Sequence, residues 1–327
     1  SNENSSVRVD AQNNYWGHWT GPYHPIRNPD GRGDAVSNYV DFEPWLGGPA
    51  SSSDDPEATA FNNAKKIVCD GDNIWVVFQS KGEIHYRHSS DKGESWSEDC
   101  VLTEGEAPAI AANPLTGSPG IVWIGPEESP EGRTLYYAVL GGLGLPPCTL
   151  AHFGGTIRPY LPSLAIDGSG HGHVAWEEEL PDGPGGQGTQ TRWWLRYGSF
   201  DASNPDGLIL RELLDTSGER GWRGSPSIVV DPSPTSGAEP HLVWRKGSVG
   251  EIYYAVRGAG AWSPPENISM TPDAQSVWPC LDYDYHGGVL SAVWQEQVGQ
   301  SFEIWHRRKT GPGGPWAEIE VVTSTGR

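Results

Sequence analysis

The stretch PSLAIDGSGHGHVAWEEE, Pro162 to Glu179, followed by TRWWLRYGSFD, Thr191 to Asp201, is the unit from which the chain is built. It recurs as PSIVVDPSPTSGAEPHLVWRKG from Pro226 with EIYYAVRG from Glu251, and as PCLDYDYHGGVLSAVWQE from Pro279 with EIWHRR from Glu303. Each copy opens with a short apolar run ending in an acid: Leu164 to Asp167, Ile228 to Asp231, Leu281 to Asp284. A turn rich in Gly, Pro, Ser and Asp follows, then a second apolar run ending in Trp176, Trp244 or Trp294. A third run carries Tyr197, Tyr254 or His306 in the matching place. The runs are short, rich in Val, Ile, Leu, Trp and Tyr, and bounded by breakers. None keeps a 3.6-residue period, so they read as strands.

Two weaker copies lie upstream. Ile67 to Asp70, Phe78 and Ile84 to Arg87 form one; Ile110 to Asn113, Trp123 and Leu135 to Ala138 form the other. A fourth run closes each unit, at Cys100–Leu102, Cys148–Ala151, Leu208–Leu214, Ile268–Met270 and Ile319–Val322. The aromatics ending the second runs are spaced 45, 53, 68 and 50 residues apart, which brackets one four-stranded propeller blade. The wide step holds a Gly-rich insertion, Pro181 to Thr191; Gly125 to Arg133 is another, and both join second to third strands. One four-stranded sheet cannot bury both faces; packing sheets around an axis can, and ring closure protects the ends. The expected fold is therefore all-β: a propeller of four-stranded antiparallel blades over residues 60–327, five in number, with an irregular arm at 1–50 and a linker at 51–59. A larger ring cut short at Arg327 fits the same pattern.

Ser89-Ser90-Asp91-Lys92-Gly93-Glu94-Ser95-Trp96 resembles the Asp-box, S-x-D-x-G-x-x-W, of sialidase-like (BNR) propellers. The resemblance implies a fold element on the hairpin between third and fourth strands, with Ser89, Asp91, Gly93 and Trp96 holding the turn away from any catalytic face. Trp262 and Trp316 keep the aromatic anchor in other blades. Sialidase activity would further need three arginines, a Tyr–Glu nucleophile pair and a first-blade Asp acid, and these are not placed by the sequence. Residues 1–50 resemble the closing segment of right-handed parallel β-helix proteins. Asn13, Asn14, Trp16, Gly17, Gly21, Pro22, Gly33, Asp34, Val36, Val40, Phe42, Pro44, Trp45 and Leu46 carry that match. It implies a larger parent polypeptide, secreted or at the surface of a bacterium, and an arm packed on the propeller by its tryptophans.

The chain has 327 residues, with 22 Lys+Arg against 42 Asp+Glu and a formal charge of −20. Such acidity argues against general binding to nucleic acid or anionic membranes, and no apolar run is long enough to span a bilayer. The four cysteines form no C-x-x-C. Cys69 and Cys280 fall on the innermost strands of the first and last blades, and a disulfide between them would clasp the ring.

Positions just before innermost strands line one mouth of a propeller. Here they hold Arg158 and Tyr160, then Arg220, Trp222 and Arg223, then Trp278. Aromatic faces and guanidinium forks suit sugars, so Arg158, Tyr160, Trp222, Arg223 and Trp278 are the candidate ligand contacts. The ends of the second strands add Glu177, Glu178, Glu179, Arg245, Gln295 and Glu296. Of these, Glu178 and Glu296 are the candidate acid/base pair if the protein is a catalyst. His171-x-His173 lacks a third metal ligand nearby, and no cofactor is expected. Asp70–Asn73 and Asp167–Gly170 resemble fragments of Ca²⁺ loops but equally make tight turns. The leading expectation is a non-catalytic extracellular module that binds a glycan or protein partner at the mouth. The alternatives are a glycan-active enzyme, glycosidase or polysaccharide lyase, in the same funnel, and a structural subunit that self-associates through its N-terminal arm.

Overall fold

The computed structural model describes residues 9–12, 16, 20–43, 53, 55, 58–59, 64–126, 132–141, 147–155, 157–181, 191–217, 224–230, 239–258, 260–284, 286–311 and 313–323. The fold is a five-blade β-propeller, with no helix among the described residues. Each blade runs consecutively outward from the axis as an antiparallel meander. The first has Ile67–Asp70 innermost, then Asn73–Ser80, Glu83–Ser89 and Cys100–Glu104. The second has Glu106–Ala111, Gly120–Ile124, Arg133–Val139 and Cys148–Phe153; the third has Arg158–Ile166, His171–Pro181, Thr191–Asp201 and Leu210–Ser217. The fourth has Ser227–Val230, Pro240–Lys246 and Glu251–Gly258, with Ala261–Trp262 and Glu266–Asn267 both paired to its third strand. The fifth has Ser276–Asp284, Val289–Val298, Ser301–Thr310 and Glu320–Val321. No helix is long and apolar enough to cross a membrane.

The second-strand aromatics are the wedges between blades. Trp123, Trp176, Trp244 and Trp294 are fully buried, with Phe78 in the same place in the first blade. A separate apolar cluster fills each interface between blades adjacent in sequence, from the first and second to the fourth and fifth. Burial of such a side chain stabilises by about 2–3 kcal/mol, so the wedges fix the blade spacing. Tyr197 and Tyr254 lie under Trp262 and Trp316 in matching edge-on contacts, each with ring centroids 5.1 Å apart.

Between the first and last blades an ion pair spans the ring, Lys65 Nζ to Asp282 Oδ1 at 2.5 Å. Cys69 and Cys280 are free thiols, as are Cys100 and Cys148, so the expected disulfide clasp is not formed. Strand register explains this. Cys280 pairs with Val293, directly before the wedge Trp294, whereas Cys69 pairs with Ile74, four residues before Phe78. The two thiols therefore stand three positions apart along their strands, about 10 Å, beyond disulfide reach.

The turn at Ser89 to Trp96 is bonded to itself. Ser89 Oγ donates to Asp91 Oδ1 at 2.7 Å and accepts from the Gly93 amide at 2.8 Å. Asp91 also accepts from the Ser95 amide and hydroxyl. These bonds hold the Asp91 carboxyl down at about 2. In the arm, Val9–Asp10 pairs with Val40–Asp41 and Pro22–Tyr23 with Gly33–Ala35, both in parallel. The arm buries Phe42 against His24, with Arg27 over the ring. Trp19 and Trp45, expected as its anchors, lie outside the described residues.

Candidate functional site

Four of the five innermost strands share a bulge near their starts. Ala107, Leu161, Ser225 and Trp278 all have φ between 45° and 54°, and each precedes a proline: Pro108, Pro162, Pro226, Pro279. Left-handed backbone at a non-glycine residue costs about 1–2 kcal/mol and persists only where the surroundings impose it. At two of the four, Ala107 and Ser225, a side chain of the preceding blade supplies that constraint. Gln79 Oε1 accepts the Ala107 amide at 2.9 Å, and Glu177 Oε1 accepts the Ser225 amide. Gln79 and Glu177 occupy the same place in their blades, one residue after the wedge aromatic.

Below the bulges, Lys66, Ala109, Ser163, Ser227 and Cys280 hold equivalent positions, one per blade. Ser163 Oγ accepts the Ile228 amide at 3.1 Å and Ser227 Oγ accepts the Leu281 amide at 3.0 Å, linking inner strand to inner strand. Burial pushes the Cys280 thiol pKa up. Lys66 replaces the small residue of the other blades with an amine that donates to the Pro108 carbonyl of the second blade. Burial within the ring brings its pKa down to about 7. No carboxylate lies within ion-pair distance of Lys66 among the described residues.

The same end of the funnel carries the predicted mouth residues. Tyr160 pairs in register with Glu177, and its phenol donates to Glu179 Oε2 at 2.9 Å. Burial and that carboxylate raise the Tyr160 pKa, with Arg158 pulling the other way. Arg158 is exposed and Trp278 half-buried. Arg245, in the fourth blade, matches Glu177 in the third. Burial lowers its pKa while the Glu177 charge raises it. Its Nε is buried without a hydrogen-bond partner, and one terminal nitrogen reaches the Val249 carbonyl at 3.5 Å. Gly250, at φ +95°, makes room for this guanidinium, since a Cβ there would lie 2.2 Å from Nε. Trp222 and Arg223, with Arg220, lie outside the described residues.

The structure does not bring Glu178 and Glu296 together as an acid/base pair. Both are fully buried, in the third and fifth blades. Glu178 accepts from Trp176 Nε1, Arg196 Nε and Arg211. Glu296 Oε2 accepts from Trp294 Nε1 at 2.8 Å and Ser276 Oγ at 2.6 Å. For the fourth-blade wedge the same part is taken by Asp215 of the third blade, which accepts from Trp244 Nε1. These carboxylates are the polar partners of the wedge indoles. The Asp167 turn likewise uses its acid internally, on Ser169, the His171 amide and His173. No group of three or more His, Cys, Asp or Glu is gathered for a metal among the described residues.

A cavity of about 610 Å³ opens where the inner strands end, lined from all five blades and by Asp70, Asn113, Asp282 and Lys65 among its polar groups. A second of about 610 Å³ lies at the rim between the third and fourth blades, beside Leu213 and Trp262. Sequence reasoning named Glu177, Arg245, Tyr160 and Trp278 but missed Lys66. Alignment of the repeats was the available signal, because a lysine stands where the other blades have Ala, Ser or Cys.

No family model and no curated protein matches the chain. Solved structures do. A thermostable family-43 glycoside hydrolase has 11% identity and a TM-score of 0.45, covering 84% of this chain and 96% of that one. The α-L-arabinanase of Penicillium chrysogenum, complexed with arabinobiose, has 9% identity and a TM-score of 0.44, covering 76% and 89%. A family PL25 polysaccharide lyase, an ulvan lyase, has 9% identity and a TM-score of 0.48, covering 82% and 84%. At such identity the likeness is one of fold, that of a propeller. The expectation of a non-catalytic binding module is corrected here, because the similar propellers are glycan-processing enzymes by name.

Proposed function

We propose that the protein is a glycan-active enzyme working at the end of the funnel where the inner strands begin. The observation that carries this reading is that Lys66, Tyr160 with Glu179, and Glu177 with Arg245, in the first, third and fourth blades, all lie at the end of the funnel where inner strands start and second strands end. Each of Lys66, Tyr160 and Arg245 has its proton affinity moved by burial. Titratable groups shifted by burial and by specific partners are candidates for functional positions. Trp278 and Arg158 supply an aromatic face and a guanidinium at the same mouth, which suit the C–H face and the hydroxyl or carboxylate groups of a sugar. A polysaccharide substrate implies action outside the cell, and on this reading the Ser89–Trp96 turn is an Asp-box serving the fold alone.

The test is to incubate the full chain with a panel of neutral and acidic polysaccharides and to measure newly formed reducing ends. Release from at least one polymer, lost in Tyr160→Phe or Lys66→Met with the melting temperature retained, supports the proposal. No release from any polymer removes it.

A further inference from the structure

We infer that the propeller ring opens between its fifth and first blades, that the Lys65–Asp282 ion pair is the latch across this seam, and that the seam is a side entrance to the funnel cavity. Such opening is a property of the fold and does not rest on the glycan-active reading.

The seam is unlike the other interfaces. Among the described residues, four apolar clusters fill the four interfaces between consecutive blades, and none joins the fifth blade to the first. One position shows the difference directly. Ile67, Ile110, Leu164, Ile228 and Leu281 are equivalent inner-strand residues, each paired with the residue two before its wedge aromatic. The last four are at most 2% exposed, whereas Ile67 is 54% exposed.

Both walls of the seam have lost apolar residues. Tyr254 and Val256 of the fourth blade pack against the fifth, where His306 and Arg308 stand in their places on the outward face. Tyr136 and Ala138 of the second blade pack against the first, whose own counterparts are His85 and Arg87. Imidazole and guanidinium groups are costly to bury, so the seam gains little by closing through packing.

What crosses it is a charged pair, Lys65 Nζ on Asp282 Oδ1 at 2.5 Å. Both partners depart from the repeat. Lys65 takes the place of the bulge prolines Pro108, Pro162, Pro226 and Pro279, and Asp282 that of Val68, Ala111, Ala165 and Val229. Their side chains are 38% and 68% exposed. An exposed ion pair holds far less firmly than a buried wedge and is weakened by salt. The weakest joint of the ring therefore lies here, and local opening follows the weakest joint. The cavity of about 610 Å³ is lined from both sides of the seam, by Ile67, Cys69 and Asp70 and by Asp282 and Tyr283. Parting the two blades widens its wall on that side.

Cys280 reports the opening. It lies on the same face of its strand as Asp282; burial holds its thiol pKa up, and the Lys65 charge pulls it down. The full chain is treated with N-ethylmaleimide at fixed pH, and peptide mapping by mass spectrometry follows each cysteine. Lys65→Met should speed the reaction of Cys280 by about two- to fivefold, the scale of an exposed ion pair. Loss of the Lys65 charge alone would slow it, because that charge favours the reactive thiolate. Salt at about 1 M should speed Cys280 in the wild type and leave Lys65→Met unchanged. The exchanged pair, Lys65→Asp with Asp282→Lys, should restore the slow rate. An unchanged or slower Cys280 in Lys65→Met, or an exchanged pair as fast as Lys65→Met, overturns the latch. Cys148, on the outer strand of the second blade, is the reference; a parallel rise there would mean a general loosening of the fold and overturns it as well. Cys69 reads the entrance, since it lines the cavity. Its gain in Lys65→Met should be larger for a bulky dye maleimide than for N-ethylmaleimide, and equal gains would remove the side entrance.

Discussion

Glu177 of the third blade accepts the backbone amide of Ser225 in the fourth, at a residue whose φ is +45°. The contact joins two inner strands at the point where the chain enters its bulge. Gln79 makes the same bond to Ala107 between the first and second blades. The shared element is an acceptor oxygen, not a charge. Glu177→Gln is therefore expected to leave the melting temperature nearly unchanged. Glu177→Ala orphans a buried N–H and costs about 2 kcal/mol. Denaturant unfolding of the two variants checks this, and equal destabilisation would show that the charge rather than the acceptor matters. Glu177 also faces Arg245, so the Gln variant separates the two parts: any loss of turnover without loss of stability belongs to the Arg245 side.

Glu178 is expected to behave as a structural group. It satisfies the Trp176 indole and two arginines, with Arg196 Nε at 3.0 Å. Glu178→Ala leaves a buried indole N–H and two cations without their anion, at a cost of about 3 kcal/mol. Glu178→Gln keeps an acceptor for the indole and costs less. If Glu178→Gln folds and turns over glycan at the wild-type rate, the structural role holds; a folded, inactive Gln variant would return Glu178 to the list of catalytic candidates.

The blade repeat was readable because it rests on period and on one large aromatic per unit. Phe78, Trp123, Trp176, Trp244 and Trp294 marked the wedges without any knowledge of the axis. The placement of Glu178 and Glu296 beside the wedge indoles is legible in the sequence as well. Each lies two residues beyond its tryptophan on a strand, hence on the same face and beside the indole, while Glu177 and Gln295 point the other way. The bulges were not legible, since left-handed backbone before Pro108, Pro162, Pro226 and Pro279 runs against the usual preference of a pre-proline residue. At Ala107 and Ser225 it is held by hydrogen bonds from the neighbouring blade, which a linear sequence does not display. The disulfide expectation failed for a related reason. Placing Cys69 and Cys280 on adjacent inner strands ignored their heights, which only the pairing with Ile74 and Val293 sets.

Asp167 gives the third blade an acid-sensitive joint. Burial alone would raise its carboxyl pKa, but bonds from His173, Ser169 and the His171 amide outweigh burial and hold it well below the usual carboxylate range. His173 in turn meets the Tyr197 hydroxyl at 2.8 Å. A depressed folded pKa contributes stability that is complete above the unfolded value and is lost as the pH falls below it. The window therefore opens at about pH 4 and extends downward. Asp167→Asn should lower the melting temperature at neutral pH, with the gap to wild type narrowing steadily as the pH falls below about 4. Parallel curves over that whole range would show that Asp167 is not the acid-labile group.

Lys66 carries the opposite sign of pH dependence. Its pKa falls from 10.5 to about 7 on burial, so the unfolded chain binds more protons than the folded one between those values. Stability then rises with pH across that window, because deprotonation removes a charge that the ring disfavours. The penalty is full below about pH 7, where both states hold the proton. Lys66→Met removes the charge and the amine while keeping an unbranched side chain. The variant should be more stable than wild type at about pH 6, with the gap closing as the pH approaches 10.5. Thermal melts of both proteins across this range measure it directly. A constant gap would mean that the amine stays protonated in the fold; Lys66 would then be a fixed cation at the funnel.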